Sequence, residues 1–409
     1  MTPLRLIFRV RPESRLTVPL LANIWAGSGL AREARVAYWI EQPPTDLGPG
    51  DAILYSFMTP HLPRVAAEVA RLRREFAGRA APLFVAGGAQ ASGDPALTLA
   101  AGFDGVVTGA GEEGLPAFGR QWLDGTLPEA PWTIARGGSL AGFFPLADGL
   151  PTVPPLEIMR GCHWRCRFCQ TGSQPVEYRS RAEIEAFLDR LAARGLRRVG
   201  FIAPSALEFG SSGPGRVDLP SVSWLLEAAR RRGFPFIEYG IFPSEIRPDT
   251  VSAPLLALLK GVVSNRSLTF GAQSGDEGRL AAEGRGHGLD AVERALELAA
   301  EAGFTAALDF IFAYPGETPV EREATVAAIR SLHRRYGIRA QCHHFVPLAG
   351  SASARRLPSF LGEEGRAMLE ALHRDGIATD WWREGERTAT RLLEWLRTEH
   401  PAFYGQYRP

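Results

Sequence analysis

Cysteine is scarce in this chain, with four in 409 residues, and three of the four fall within one eight-residue window. A secreted disulfide scaffold spreads many cysteines through a small domain, so that class is excluded and the clustering points to a metal. Lysine is scarcer still: Lys260 stands alone among 46 basic residues. A coding bias toward arginine accounts for this more simply than a preference for phosphate. A charge surplus is lacking too, since 46 basic against 45 acidic side chains leave +1, which gives no electrostatic footing for nucleic acid or an anionic membrane. No apolar run approaches the ~20 residues that cross a bilayer, and residues 1–10 lack the continuous apolar stretch of a secretion signal. A cytoplasmic protein is expected.

What is present is ordinary globular material, 45% hydrophobic and 22% charged, in a chain long enough for two domains and an extension. In the first third, strands are expected over 4–10, 36–40, 52–56, 82–86 and 105–108, with helices over 18–26, 62–76 and from near Glu112. Such alternation implies a parallel, doubly wound sheet whose ligands sit at the carboxyl ends of its strands. Those ends carry Ser56 through Thr59, Gly87 and Gly88 through Gln90, and Gly109, Gly111 and Glu112 through Gly114. The stretch 127–155 is rich in Gly and Pro with weak periodicity and reads as a linker. A second series follows, with strands expected over 156–159, 199–202, 236–241, 268–272, 306–312 and 341–346, separated by helices over 181–194, 221–232, 254–261, 290–302 and 319–336. Six βα units in a row suggest a partial barrel with functional groups at the C-terminal strand ends. Residues 351–409 read as mostly helical, with Trp381, Trp382 and Trp395 in no readable role.

Behind the first strand of the second series comes the segment Arg160-Gly161-Cys162-His163-Trp164-Arg165-Cys166-Arg167-Phe168-Cys169-Gln170. Three thiolates spaced CxxxCxxC can wrap three corners of a cubane cluster and leave the fourth iron open, as a substrate-activating centre requires. The remaining cysteine, Cys342, falls on the last strand, where a buried apolar thiol is the simpler reading. Structural zinc prefers paired CxxC knuckles and four ligands, a set that His163 completes only awkwardly.

This spacing at the end of a first barrel strand, with aromatic Phe168 before the third cysteine, resembles the radical SAM superfamily. The resemblance implies a [4Fe–4S] cluster on Cys162, Cys166 and Cys169. S-adenosylmethionine (SAM) would chelate its open iron and be cleaved reductively to methionine and a 5′-deoxyadenosyl radical. Phe168 would lie near the adenine, unless it only packs the loop. By the same resemblance Ser205, Gln273, Ser274, Arg285 and Glu245 would contact SAM; the plain alternative is that Ser and Gln cap the following helices and Arg285 is solvated. His287 and Glu317 stand evenly between the two readings. The sequence departs from the family in two places: Ala203-Pro204-Ser205 replaces the usual Gly-Gly-Glu, and Ala313 stands where relatives often carry glycine.

The first third resembles the cobalamin-binding domain that precedes many such barrels, through Phe84-Val85-Ala86-Gly87-Gly88 and Asp104-Gly105-Val106-Val107-Thr108-Gly109-Ala110-Gly111-Glu112. The resemblance implies that Ser56, Thr59, Gly87, Gly88, Gln90, Gly109, Gly111 and Glu112 line a corrin and its nucleotide tail. No Asp-x-His-x-x-Gly motif supplies a lower cobalt ligand, so cobalamin would bind without histidine, or the domain would only shape the pocket. Gly109-x-Gly111-x-x-Gly114 also fits a dinucleotide fingerprint, but on the domain's last strand rather than its first.

The expected architecture is therefore α/β. A Rossmann-like, B12-binding-type domain over 1–130 is followed by a linker over 131–154, a partial (β/α)6 barrel over 155–350 and a helical extension over 351–409. The expected activity is cobalamin-dependent radical SAM methylation of an unactivated carbon in a small molecule or peptide, fed by a low-potential electron donor. Non-methylating radical chemistry, and a SAM- or cobalamin-binding sensor with a structural cluster, are the alternatives. A tRNA methylthiotransferase is disfavoured because the first domain has no cysteine.

Overall fold

The computed structural model describes residues 4–150 and 153–409. Met1 to Pro3, at the start of the expected first strand, and Pro151 and Thr152, inside the expected linker, lie outside the described residues. Contacts divide the chain into two compact units. One comprises Met1–Pro155, Leu348–Gly350 and Arg391–Gln406; the other comprises Leu156–Pro347, Ser351–Thr390 and Tyr407–Pro409.

The first unit is built on a six-stranded parallel sheet. Its strands are β1 (Leu4–Arg9), β2 (Ala34–Trp39), β3 (Asp51–Ser56), β4 (Leu83–Gly87), β5 (Gly105–Gly109) and β6 (Trp132–Arg136). Central strands covered on both faces read as continuous apolar runs, and β3 (DAILYS) is buried along all but its last residue. The spatial order β2-β1-β3-β4-β5-β6 reverses direction between β1 and β3, which opens a crevice beyond the carboxyl ends of those two strands. The intervening helices are α1 (Val18–Gly27), α2 (Leu62–Glu75), α3 (Gly88–Gly93), α4 (Pro95–Ala100) and α5 (Gly111–Leu123). Helix α2 buries Leu62, Val65, Ala66, Val69 and Leu72, the helical stripe its sequence prescribes.

Strand β6 falls in the stretch expected to be a linker. Its burial alternates, with Trp132 and Ile134 inward, and Trp132 stacks on Phe118 at 5.6 Å. Gly105 makes room for that indole, because a Cβ there would meet it at 2.2 Å. The period was hidden in a five-residue strand surrounded by Gly and Pro.

The second unit carries β7 (Leu156–Glu157), β8 (Met159–Arg160), β9 (Glu177–Tyr178), β10 (Arg198–Ile202), β11 (Phe236–Glu238), β12 (Ser267–Gln273), β13 (Thr305–Phe312) and β14 (Arg339–His344). Parallel pairs run β7-β10-β11 and β12-β13-β14, and a parallel bridge between Ile246 and Phe270 joins the two sets. Six strands thus follow one another in chain order around a partial barrel. The helices between them are α6 (Arg181–Ala193), α7 (Leu219–Arg231), α8 (Ala253–Val262), the short α9 (Glu277–Ala282), α10 (Leu289–Glu301) and α11 (Pro319–Tyr336). On β13, Leu308, Phe310 and Phe312 are fully buried, while Ala307 and Ile311 stay partly open on the opposite, chamber face. Helices α12 (Gly362–Arg374) and α13 (Trp381–Glu399) make up most of the C-terminal segment. Among the described residues no helix is long and apolar enough to cross a membrane.

Candidate metal centre

The short antiparallel ladder of β8 and β9 pairs Met159 with Tyr178 and Arg160 with Glu177, closing off the loop 161–176 that holds the three cysteines. Gly161 turns the chain into this loop at φ 70°, where a Cβ would strike the Pro175 carbonyl oxygen at 2.2 Å. The loop is held by its neighbours in chain and space. Trp164 Nε1 donates to Glu208 at 3.0 Å, and the Arg247 guanidinium lies 3.7 Å over the Trp164 ring. The Arg167 amide donates to the Glu283 carbonyl at 3.0 Å, and the Cys169 amide to the Cys166 carbonyl at 3.1 Å.

The sulfurs sit in a field of donors. Arg285 Nη1 lies 3.4 Å from Cys166 Sγ, and the Thr171 amide donates to Cys169 Sγ at 3.4 Å. Burial pushes the Cys162 thiol up to about 11, and Cys169 and Cys166 close by add to the push. A thiol raised this far keeps its proton near neutrality until a metal takes the thiolate. Among the described residues no three His, Cys, Asp or Glu side chains converge on a single ion. A cubane asks something different, because each thiolate binds its own iron. Three thiols on one loop are the donor chemistry that a cluster takes.

Around the thiols lie buried polar atoms with nothing to bond. Arg285 spends its Nη2 on the Gly271 carbonyl at 2.6 Å, yet its Nε has no partner among the described residues. Arg247 Nη2 donates to the Arg285 carbonyl at 2.5 Å and to Asp249 at 3.1 Å, while its Nε and Nη1 and the fully buried Ser205 hydroxyl have no partner among the described residues. Orphaned buried donors are rare and call for a ligand. Two guanidinium groups with free N–H beside the thiols fit the carboxylate of an amino-acid-like molecule such as SAM. His287, 3.1 Å from Arg285, is pushed down to about 4 by burial and then by the two arginines, so it stands neutral.

Gln273 adopts φ 74° where β12 slips register against β13. Such a backbone on a non-glycine residue is strained and is held in place by its surroundings. Its Nε2 and Arg285 Nη2 both crowd Gly271, at 2.6 and 3.1 Å from where a Cβ would stand. Glu245 faces Arg285, Asp309 and His343, and its carboxyl is pushed up to about 7, by burial first and by Asp309 second. The structure thus brings Cys166, Gln273 and Arg285 together at one end of the barrel, and the Ala206 amide on the Glu245 carbonyl (2.9 Å) sets Ser205 near Glu245. Two expected residues have partners within the protein. Ser274 Oγ turns to Thr325 Oγ1 at 3.2 Å and accepts the Asp276 amide, as a cap does. Phe168 packs its ring 5.8 Å from that of Tyr314. His287 contacts Arg285, whereas Glu317 is tied to Arg322 at 3.2 Å.

At the strand ends of the first unit, Ser56 pairs with Gly87, Gly109 ends β5 and Gly111 opens α5. Gly88 (φ 81°) leaves no space for a Cβ, which would meet Ser56 Oγ at 2.7 Å. Thr59 is buried and accepts the Ala349 amide at 2.8 Å, and Gln90 is fully enclosed with Nε2 on Thr98 at 3.3 Å. Gln90 Oε1 is buried without a partner among the described residues. Glu112 is buried in the first turn of α5.

Sequence reasoning passed over Trp164, Glu208, Asp309 and His343. Asp309 carried a readable signal: it is a charged residue in the middle of an otherwise apolar strand, TAALDFIF.

Residues 156–329 match the radical SAM superfamily. The heme chaperone HemW of Bacillus subtilis is 28% identical over 177 residues, 42% of this chain and 45% of that protein. The ribosomal protein uS12 methylthiotransferase RimO of Sorangium cellulosum is 26% identical over 183 residues, 43% and 37%. The chain thus spans less than half the length of these relatives. Among solved structures, the radical SAM methyltransferase TsrM from Kitasatospora setae, with tryptophan and a SAM analogue bound, superposes with a TM-score of 0.61. The identity is 16%, over 87% of this chain and 75% of that one. The cobalamin-dependent SAM radical enzyme OxsB with aqua-cobalamin gives 0.57 at 13% identity, over 91% and 55%. A radical SAM domain implies a [4Fe–4S] cluster and SAM, the groups that the thiols and the unpaired arginine donors fit. The chain carries such a domain over residues 156–329, within an α/β fold shared with TsrM and OxsB.

Proposed function

We propose that this protein is a cobalamin-dependent radical SAM enzyme that methylates an unactivated carbon of a small molecule or peptide. The observation that carries the radical SAM half is the cysteine loop, with Cys166 Sγ bonded to Arg285 and further guanidinium donors unpaired beside it. A [4Fe–4S] cluster on Cys162, Cys166 and Cys169 supplies a low-potential electron for cleaving SAM, delivered by a cytosolic donor. Arg285 and Arg247 hold the SAM carboxylate, Ser205 and Gln273 bond its polar groups, and Arg285 N–H toward Cys166 tunes the cluster. Support for the corrin comes from the sheet reversal between β1 and β3, whose adjoining strand ends are small: Ser56, Gly87, Gly88, Gly109 and Gly111. The region 1–130 is taken as the corrin-binding domain and 155–350 as the barrel. His61 is the sole histidine of 1–130 and lies in no Asp-x-His-x-x-Gly motif, and on this reading the corrin is held without a histidine ligand.

The test is anaerobic reconstitution with iron, sulfide and hydroxocobalamin, followed by SAM and dithionite. We expect 5′-deoxyadenosine and stoichiometric retained corrin, with Cys166→Ala abolishing both the cluster absorption and the cleavage. Cleavage without corrin retention would turn the reading toward non-methylating radical chemistry. A cluster that never cleaves SAM, with candidate substrates present, would leave a sensor.

A further inference from the structure

The chamber face of the barrel carries a polar group that neither the thiols nor the arginines engage through hydrogen bonds. Parallel pairing sets Gly271, Asp309 and Gln341 side by side, and partners across a parallel sheet project to the same face. A side chain at Gly271 would meet Arg285, the residue on Cys166, so Asp309 lies on that same face from the next strand, roughly 5 Å away. Its neighbours Leu308 and Phe310 are fully buried on the other face.

A carboxylate in mid-strand is costly unless it is bonded. His343 answers for half of Asp309, with Nε2 3.1 Å from Oδ1. Oδ2 is buried without a partner among the described residues, on a side chain whose residue is only 6% exposed. Glu245 lies within electrostatic reach of the pair, and the charged or titratable groups that act on it are Asp309, His343 and Arg285. Beside His343, at 5.5 Å between ring centroids, lies the half-exposed ring of Trp381.

We propose that Asp309, Glu245 and His343 form an anchor for a protonated nitrogen of the substrate, so that the enzyme acts on an amine. The proposal rests on the radical SAM reading of the barrel, which makes this chamber the substrate's. An ionised carboxylate is acceptor-only, so Oδ2 calls for a donor. Two carboxyl groups facing each other call for that donor to be positive, because a cation relieves their repulsion where a hydroxyl does not. The Trp381 ring offers the amine's carbon skeleton an apolar wall, and its π-face suits a cation.

The experiment uses the cluster-reconstituted protein with saturating SAM and no reductant, titrated calorimetrically with benzylamine and with benzyl alcohol. Benzylamine should bind at least tenfold tighter than the alcohol, and Asp309→Asn should cost it at least tenfold. Binding should tighten between about pH 6 and pH 8 as Glu245 ionises, and Glu245→Gln should flatten that dependence. Equal binding of the two probes would overturn the inference, as would benzylamine displaced by SAM, since the anchor would then belong to SAM. Should Asp309→Asn fail to fold by circular dichroism, the probe pair and Glu245→Gln decide alone. SAM cleavage on adding dithionite is scored separately: cleavage with equal probe binding removes the anchor only, and amine selectivity without cleavage removes the proposed function only.

Discussion

Individual side chains here are governed by what the interior withholds. Cys162, Cys166 and Cys169 were legible from the chain alone, because cluster chemistry imposes a local spacing that survives without knowledge of the fold. Arg285 was named from its position after the fourth barrel strand, and the structure puts it on Cys166. Asp309 stands out as a charge in an apolar strand, but its meaning and that of His343 depend on which strands pair beside them, which the sequence does not declare. Ser274 was indistinguishable in sequence from a ligand contact, since capping and binding use the same hydroxyl. Glu245 yields a pH prediction. Its carboxyl takes up a proton at about 7 in the folded chain, against an ordinary value of 4.5. The folded state therefore holds the extra proton, so stability is full below pH 4.5 and falls by about 3 kcal/mol as pH rises to 7. Glu245→Gln should remove this slope in urea midpoints measured at several pH values.

At the level of elements, the long helices and strands matched the periodicity of the sequence closely, and α11 spans the 319–336 stretch expected of it. The losses were short pieces. Strand β6 escaped because five residues among Gly and Pro give too little period to read, and α9 because six residues make barely more than a turn. The end of β13 shows why local composition can mislead. Ala313 holds φ 61°, a conformation in which glycine would be unstrained, and its amide is fixed by Glu317 Oε2 at 2.9 Å. Glu317 is in turn paired with Arg322 on α11, whose guanidinium also donates to the carbonyls of Leu361 and Phe360. Both partners are almost wholly enclosed, at 3% and 6% side-chain exposure. Removing one member of such a pair strands the other. Arg322→Ala should therefore destabilise the barrel unit by about 3 kcal/mol, read from denaturant unfolding, while an exposed pair such as Arg387 with Glu384 should cost under about 1 kcal/mol.

On the scale of the whole molecule, the two-part α/β plan was readable because βα alternation repeats often enough to average out local errors. How the chain's far end is used was not readable, since nothing in a helical pattern says which sheet it serves. The first unit is assembled from three separate pieces of chain, Met1–Pro155, Leu348–Gly350 and Arg391–Gln406. Ala349 is gripped there by Thr59 and lies against Gly93, where a Cβ would meet its carbonyl carbon at 2.4 Å. From the last piece, Leu392 and Leu396 are fully buried. A fragment ending at Pro155 should consequently be cut by dilute protease far faster than the same residues in the full chain, and a resistant fragment would contradict this. During synthesis the consequence is temporal. The residues up to Pro155 leave the ribosome well before Arg391–Gln406 do, so the first unit waits for that later segment before it is complete.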